Sequence, residues 1–194
     1  MNKPNNYDNT RTGNSFVPIN LGGHFAVIKQ VEEMKSRSGK DMIAVYIDFA
    51  DGDEQAHYFA DQYKNDTRAE KKWPYQAIHY ITTEDAEGNT RRDFKAFCTA
   101  FEDSNGTTIK WGGSNWGAQF KNKKIGVVFR DVEEEYNGDI RTRRRIAWFC
   151  NYEEADSQPI PAKKPYNGPR TAPSTNSNDW MQIPDGVEDE LPFR

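Results

Sequence analysis

Residues 90–106, "TRRDFKAFCTAFEDSNG", decide how the rest of the chain is read. Phe94, Phe97, Cys98 and Phe101 recur at helical spacing, Thr90 with Asp93 has the form of a capping arrangement, and Gly106 after Asn105 is a stop signal. A ring-rich stripe of this kind faces a core rather than a ligand. The expectation is one amphipathic helix that plugs the end of something built from other elements.

The segments on both sides read as strands. "HFAVIKQVEEM" (24–34) and "MIAVYIDFA" (42–50) flank the Gly-containing turn "KSRSGKD" (35–41), which predicts a hairpin. In the second of these, Ile43, Val45, Ile47 and Phe49 alternate onto a core face and leave Tyr46 on the other face with Ala44 and Asp48. "AHYFADQY" (56–63) is expected as a third strand. "KIGVVFRDVEEEY" (124–136) and "IRTRRRIAWFCNYE" (140–153) surround Asn137-Gly138-Asp139, the strongest short hairpin signal in the chain. Three strands, a helix and a two-stranded hairpin are the element order of an all-β five-stranded Greek-key barrel, the OB-fold, with the helix capping one end.

Composition separates body from tail. The 194 residues are 35% hydrophobic and 13% aromatic, so the apolar content is concentrated in rings, which fill cores or carry stacked ligands. From Glu153 to Arg194, eight acidic residues outnumber four basic ones, which accounts for the whole net charge of −4 and leaves residues 1–152 neutral. Within that body, Lys110–Tyr152 holds nine basic residues against five acidic ones and is locally +4. The organisation expected is a flexible arm over residues 1–15, one domain over 16–155, a Pro/Ser/Asn-rich disordered linker over 156–184 and an acidic tail over 185–194.

"RTRRRIAWF" (141–149) sets cations beside flat rings, the combination that single-strand binders use on phosphates and bases. Strict alternation puts Arg143, Arg145 and Phe149 on one face, expected to meet nucleic acid together with Arg141 and Tyr46, and puts Ile146 and Trp148 in the core. The plainer alternative is that the arginines solvate an edge strand. In "IKWGGSNWGAQFKNKK" (109–124), Trp111 and Trp116 are either packed over a barrel mouth or exposed for stacking, with Lys121 and Lys123 following them. Lys35 and Arg37 lie in the first hairpin turn, which is either a DNA-contacting tip or ordinary turn chemistry. Cys98 and Cys150 have no partner at metal-ligand spacing, and His24, His57 and His79 are scattered, so no metal or other cofactor is expected. The polar start carries no signal-peptide pattern and no run approaches a membrane span, which points to the cytoplasm.

These features resemble the single-stranded DNA-binding proteins of phages and mobile elements in Gram-positive bacteria. The resemblance runs through "GGHFAVIKQVEEMKSRSGKDMIAVYIDF", the helix ending "FEDSNG", "KNKKIGVVFRDVEEEYNGDIRTRRRIAWFC" and a Pro-rich linker before an acidic tail ending near "LPF". It implies an OB-fold that coats single-stranded DNA with little sequence preference and recruits replication or recombination proteins through the tail, here Asp185, Glu188, Asp189, Glu190, Leu191, Pro192 and Phe193. Tails of this kind stop at Pro-Phe, whereas Arg194 follows here, which points to a partner encoded alongside the protein rather than by a host. The oligomeric state is left open. Two other classes stand beside this one: a protein–protein adaptor, which needs an exposed apolar patch, and a metal-dependent nuclease, for which "DFADGDE" and "DVEEEY" would have to converge on a metal.

Overall fold

The computed structural model describes residues 17–168, with Lys3 and Tyr7 ahead of them. Its centre is one five-stranded, fully antiparallel sheet of order β3-β2-β1-β4-β5. The strands are β1 (Gly22–Lys35), β2 (Asp41–Phe49), β3 (Ile78–Thr82), β4 (Lys124–Tyr136) and β5 (Asp139–Cys150). Helix α1 (Tyr58–Lys64) follows β2, and α2 (Arg92–Asn105) lies between β3 and β4. The protein is therefore mostly β, with one long helix where the sequence predicts it. The two outer strands, β3 and β5, share no hydrogen-bonded ladder. They meet through side chains instead, with the His79 ring edge-on to Phe149 at 5.5 Å.

The core explains this arrangement. Phe94, Phe97, Cys98, Ala100 and Phe101 form the buried stripe of α2, and Phe97 and Phe101 pack on Phe120 at 5.5 and 4.6 Å. Ile43, Val45, Ile47 and Phe49 of β2 are buried as the alternation predicts, opposite Ala26, Ile28 and Val31 of β1 and Ile125, Val127 and Phe129 of β4. Gly117 sits on a 3-10 turn pressed so closely against β1 that a Cβ there would lie 2.1 Å from the Val31 carbonyl oxygen. Gly106 ends α2 in the left-handed region at φ 56. The α2 N-terminus differs from expectation: Arg91 stands at the cap position without a side-chain cap bond, and Asp93 pairs with Arg91 at 3.2 Å rather than with Thr90.

The expected third strand, residues 56–63, is instead helical, and "IHYIT" (78–82) supplies β3. The cause is a distant side chain. Asp48 of β2 accepts hydrogen bonds from the backbone N–H groups of Phe59 and Ala60 through Oδ1, at 3.1 and 3.2 Å, satisfying donors that a first helical turn leaves free. Phe59 then turns into the core.

Beyond Phe129, β4 has no β1 partner, so residues 130–136 of β4 and 139–145 of β5 project as a two-stranded arm. Its free β4 edge is taken by a segment expected to be linker. Lys164 N–H donates to the Asp131 carbonyl and Glu133 N–H to the Lys164 carbonyl, both at 2.9 Å, in a parallel bridge, while Lys163 pairs with Glu133 at 2.6 Å. Lys163 and Lys164, inside the segment expected as linker, are thus held against the arm. An uncovered edge has unpaired N–H and C=O groups, which is why the segment is ordered against it. No helix among the described residues is long and apolar enough to cross a membrane.

Candidate nucleic-acid interface

The arm sorts its charges by face. Residues opposite one another in an antiparallel pair share a face, and the register sets Arg130 opposite Arg145, Val132 opposite Arg143, Glu134 opposite Arg141 and Tyr136 opposite Asp139. The outer face thus carries four arginines against two acids, a net +2. The opposite face pairs Asp131 with Arg144, Glu133 with Thr142 and Glu135 with Ile140, one cation against three acids, a net −2. Lys163 of the strap lies on that acidic side, paired with Glu133. Alternation of side chains along the two strands is what converts a segment of mixed charge into two faces of opposite sign.

Arg145 joins the arm to the outer face of β2 and β3. Its guanidinium lies over the Tyr75 ring at 4.4 Å, and Tyr75 is 41% exposed. Tyr75 approaches Tyr80 at 6.5 Å between ring centroids. Tyr80 is opposite Ala44 in the β2–β3 ladder, two residues from Tyr46, so Tyr46 and Tyr80 share the outer face. The Tyr46 hydroxyl donates to Glu32 Oε2 at 2.8 Å. Burial, followed by the bond to Glu32 and its charge, pushes that hydroxyl well above the usual phenol range. Burial also raises Tyr80, with Tyr75 and Glu32 adding to it. Three tyrosines and an arginine stack therefore form one surface.

Arg145 Nε and Nη2 donate to Glu134 Oε1 and Oε2, each at 2.6 Å. Arg141 lies over Tyr136 at 5.2 Å and pairs with Asp139 at 3.4 Å. Arg143 is exposed and has no ion-pair partner among the described residues. Arg130 Nε is buried without a hydrogen-bond partner.

Phe149 is not on this face, which corrects the expectation for it. The ladder pairs Val128 with Trp148 and Phe129 with Ile146, leaving Ala147 as an extra residue in β5. A bulge of one residue reverses the faces beyond it. Ile146 and Phe149 both turn inward, and Phe149 is 6% exposed against Phe97 at 5.2 Å. Trp148 is the outward ring, half-buried, with Nε1 donating to Gln158 Oε1 at 3.3 Å.

The remaining candidates lie elsewhere. Trp111, 66% exposed, stacks on buried Trp116 at 5.6 Å, and both line a groove of about 520 Å³ with Lys35, Glu33, Asp41 and Glu84. Three carboxylates against one lysine, itself paired with Asp41 at 2.7 Å, make this rim unsuited to phosphate. Lys121 and Lys123 are exposed at the seam where β4 begins, the Lys123 carbonyl accepting from Ile28 N–H. Arg37 is exposed at the β1–β2 turn. Residues 185–194 lie outside the described residues. Tyr80 and Arg130 were not among the candidates read from the sequence, and Tyr75 lies in "KKWPYQ" (71–76), which the sequence marks only as a weaker pairing of rings and cations. The alternation of Ile78 and Tyr80 with His79 and Ile81 after Pro74 was the available signal for the tyrosines, and the parity of Arg130 with Arg141, Arg143 and Arg145 across the Asn-Gly turn was the signal for Arg130.

Among the described residues no three His, Cys, Asp or Glu side chains are placed to hold a metal. Cys98 and Cys150 are unpaired thiols, each pushed up to about 11 by burial. No protein-family model and no curated protein matches the chain.

Proposed function

We propose that the chain is a non-enzymatic protein that binds single-stranded DNA with little sequence preference, on an OB-type barrel whose β3 and β5 edges come together through side chains. The reading is carried by one observation: the arm places Arg130, Arg141, Arg143 and Arg145 on a single face, and Arg145 connects that face to Tyr75, Tyr80 and Tyr46. Cations lined along one face, beside rings that accept any base, give affinity without base readout. Binding of this kind serves replication or recombination, in which strands are transiently single. The acidic segment Asp185–Phe193 is proposed as bait for replication or recombination proteins, on its sequence alone.

The test is a titration with fluorescent oligonucleotides, single- and double-stranded, DNA and RNA, at several salt concentrations. Single-stranded DNA is expected to bind most tightly, with log K falling against log salt at a slope of about −0.7 per phosphate neutralised. Replacing Arg143 and Arg145 together by Ala should flatten that slope by up to about two contacts' worth. Absence of salt-sensitive single-strand binding by the intact chain would overturn the proposal.

A further inference from the structure

We propose that Arg145, with Arg130 opposite it, is a phosphodiester-binding subsite of the outer face, and that Glu134 is an internal placeholder for the phosphate. The inference rests on the single-strand reading above. Two oxygens of Glu134 occupy the Nε–Nη2 edge of Arg145 at 2.6 Å each, the two-point geometry by which a guanidinium also takes two phosphate oxygens. Arg130 stands directly across the ladder from Arg145. Two like charges facing each other across a sheet repel, and a bridging anion removes the repulsion. Arg130 Nε has no acceptor within reach. The Glu134 carboxylate therefore engages Arg145, while Arg130 across the ladder keeps a guanidinium nitrogen without an acceptor.

The same guanidinium covers a face of Tyr75 at 4.4 Å. Arriving single-stranded DNA displaces the Glu134 carboxylate from Arg145, brings its own phosphate between Arg145 and Arg130, and stacks a base on the tyrosines beside them. Exchange of one anion for another makes the resting face self-paired and lowers affinity by the free energy of the internal pair. It also makes Glu134 the residue that sets how firmly the strand is held.

The experiment compares Glu134→Gln with Glu153→Gln, which removes the same charge from the exposed 3-10 turn at Tyr152–Ser157, in binding to a dT oligonucleotide. Each is made also in an Arg145→Gln background. Glu134→Gln is expected to bind between about three- and tenfold more tightly than wild type, more than Glu153→Gln does, and the gain should vanish without Arg145. The salt slope should steepen by about 0.7. In parallel, nitrogen-detected magnetic resonance of Arg145 Nε–H in the wild-type chain should show a larger shift with the oligonucleotide than with inorganic phosphate at equal phosphate concentration. Equal responses to the two would mean a free-anion site and overturn the phosphodiester assignment. If Glu134→Gln and Glu153→Gln behave alike while the wild-type chain binds single strands, the placeholder is wrong and the single-strand reading stands. If the wild-type chain binds no single strand, both fall together.

Discussion

Phe149→Ala and Trp148→Ala should affect stability very unequally, in the order that the Ala147 bulge dictates. Phe149 is 6% exposed, packed on Phe97 at 5.2 Å and His79 at 5.5 Å, and lies opposite Val127. Truncating a ring in such a setting removes its transfer free energy and leaves a cavity, at a cost of about 3–5 kcal/mol. Trp148 is half-buried with one hydrogen bond, to Gln158, so its removal should cost about 1–2 kcal/mol. For a domain of this size each kcal/mol shifts the melting midpoint by about 2–4 °C, so Phe149→Ala should melt roughly 10 °C lower and Trp148→Ala only a few degrees lower. Urea unfolding followed by circular dichroism, under reducing conditions at neutral pH, measures both, with an unchanged m-value as the check that the folded state is the same. Single-strand affinity, measured where both variants are folded, should change little for Phe149→Ala. A Phe149→Ala protein that melts like wild type but has lost DNA binding would refute the bulge and return Phe149 to the outer face.

Three further outcomes follow from the geometry. Tyr75→Ala and Tyr80→Ala should each weaken single-strand binding by roughly 1–3 kcal/mol while leaving the fold cooperative, as fluorescence anisotropy and a thermal melt would show together; unchanged affinity in both would remove the tyrosine surface from the interface. Burial lowers His79 to about 4 from its ordinary 6.5, so between those pH values the unfolded chain takes up a proton that the folded one refuses, and stability should fall with pH across that window by up to about 3 kcal/mol. His79→Phe should flatten that decline, and a wild-type denaturation midpoint that holds constant from pH 6.5 to 4 would contradict it. Gly117→Ala should cost about 3 kcal/mol or more or fail to fold, because its methyl group would meet the Val31 carbonyl at 2.1 Å; near wild-type urea stability would show that the turn can move away.

Helix α2 and the β4–β5 hairpin were legible because their signals are local: a phenylalanine stripe at helical spacing in one case and Asn137-Gly138 between alternating runs in the other. The segment after Phe49 was not. Its helical state depends on Asp48 accepting from Phe59 and Ala60, a contact that residues 56–63 do not announce by themselves. Losing that segment as a strand also hid β3, and with it Tyr80. Half of the candidate site could be read in the same way: Arg141, Arg143 and Arg145 share a face by simple parity, and the structure adds Arg130 to them. Phe149 could not be placed, since a single extra residue at position 147 reverses parity without changing hydrophobicity. The acidic character of the Trp111 groove depended on Glu33, Asp41 and Glu84, which come from three separate stretches of the chain.

The strap along β4 fixes where everything after it starts. Because Lys164 bridges Val132 in the parallel sense, the backbone at that point travels with β4 toward the Asn137-Gly138 end of the arm. Lys163 pairs with Glu133, and Tyr166 N–H donates to the same carboxylate at 3.2 Å, so the last described residues are anchored on the arm rather than on the five-stranded part of the sheet. The chain after residue 168 therefore departs from the arm, whose second strand carries Arg141 and Arg143. Cutting the protein ahead of Pro159 would bare the β4 edge and invite sheet-to-sheet association between copies.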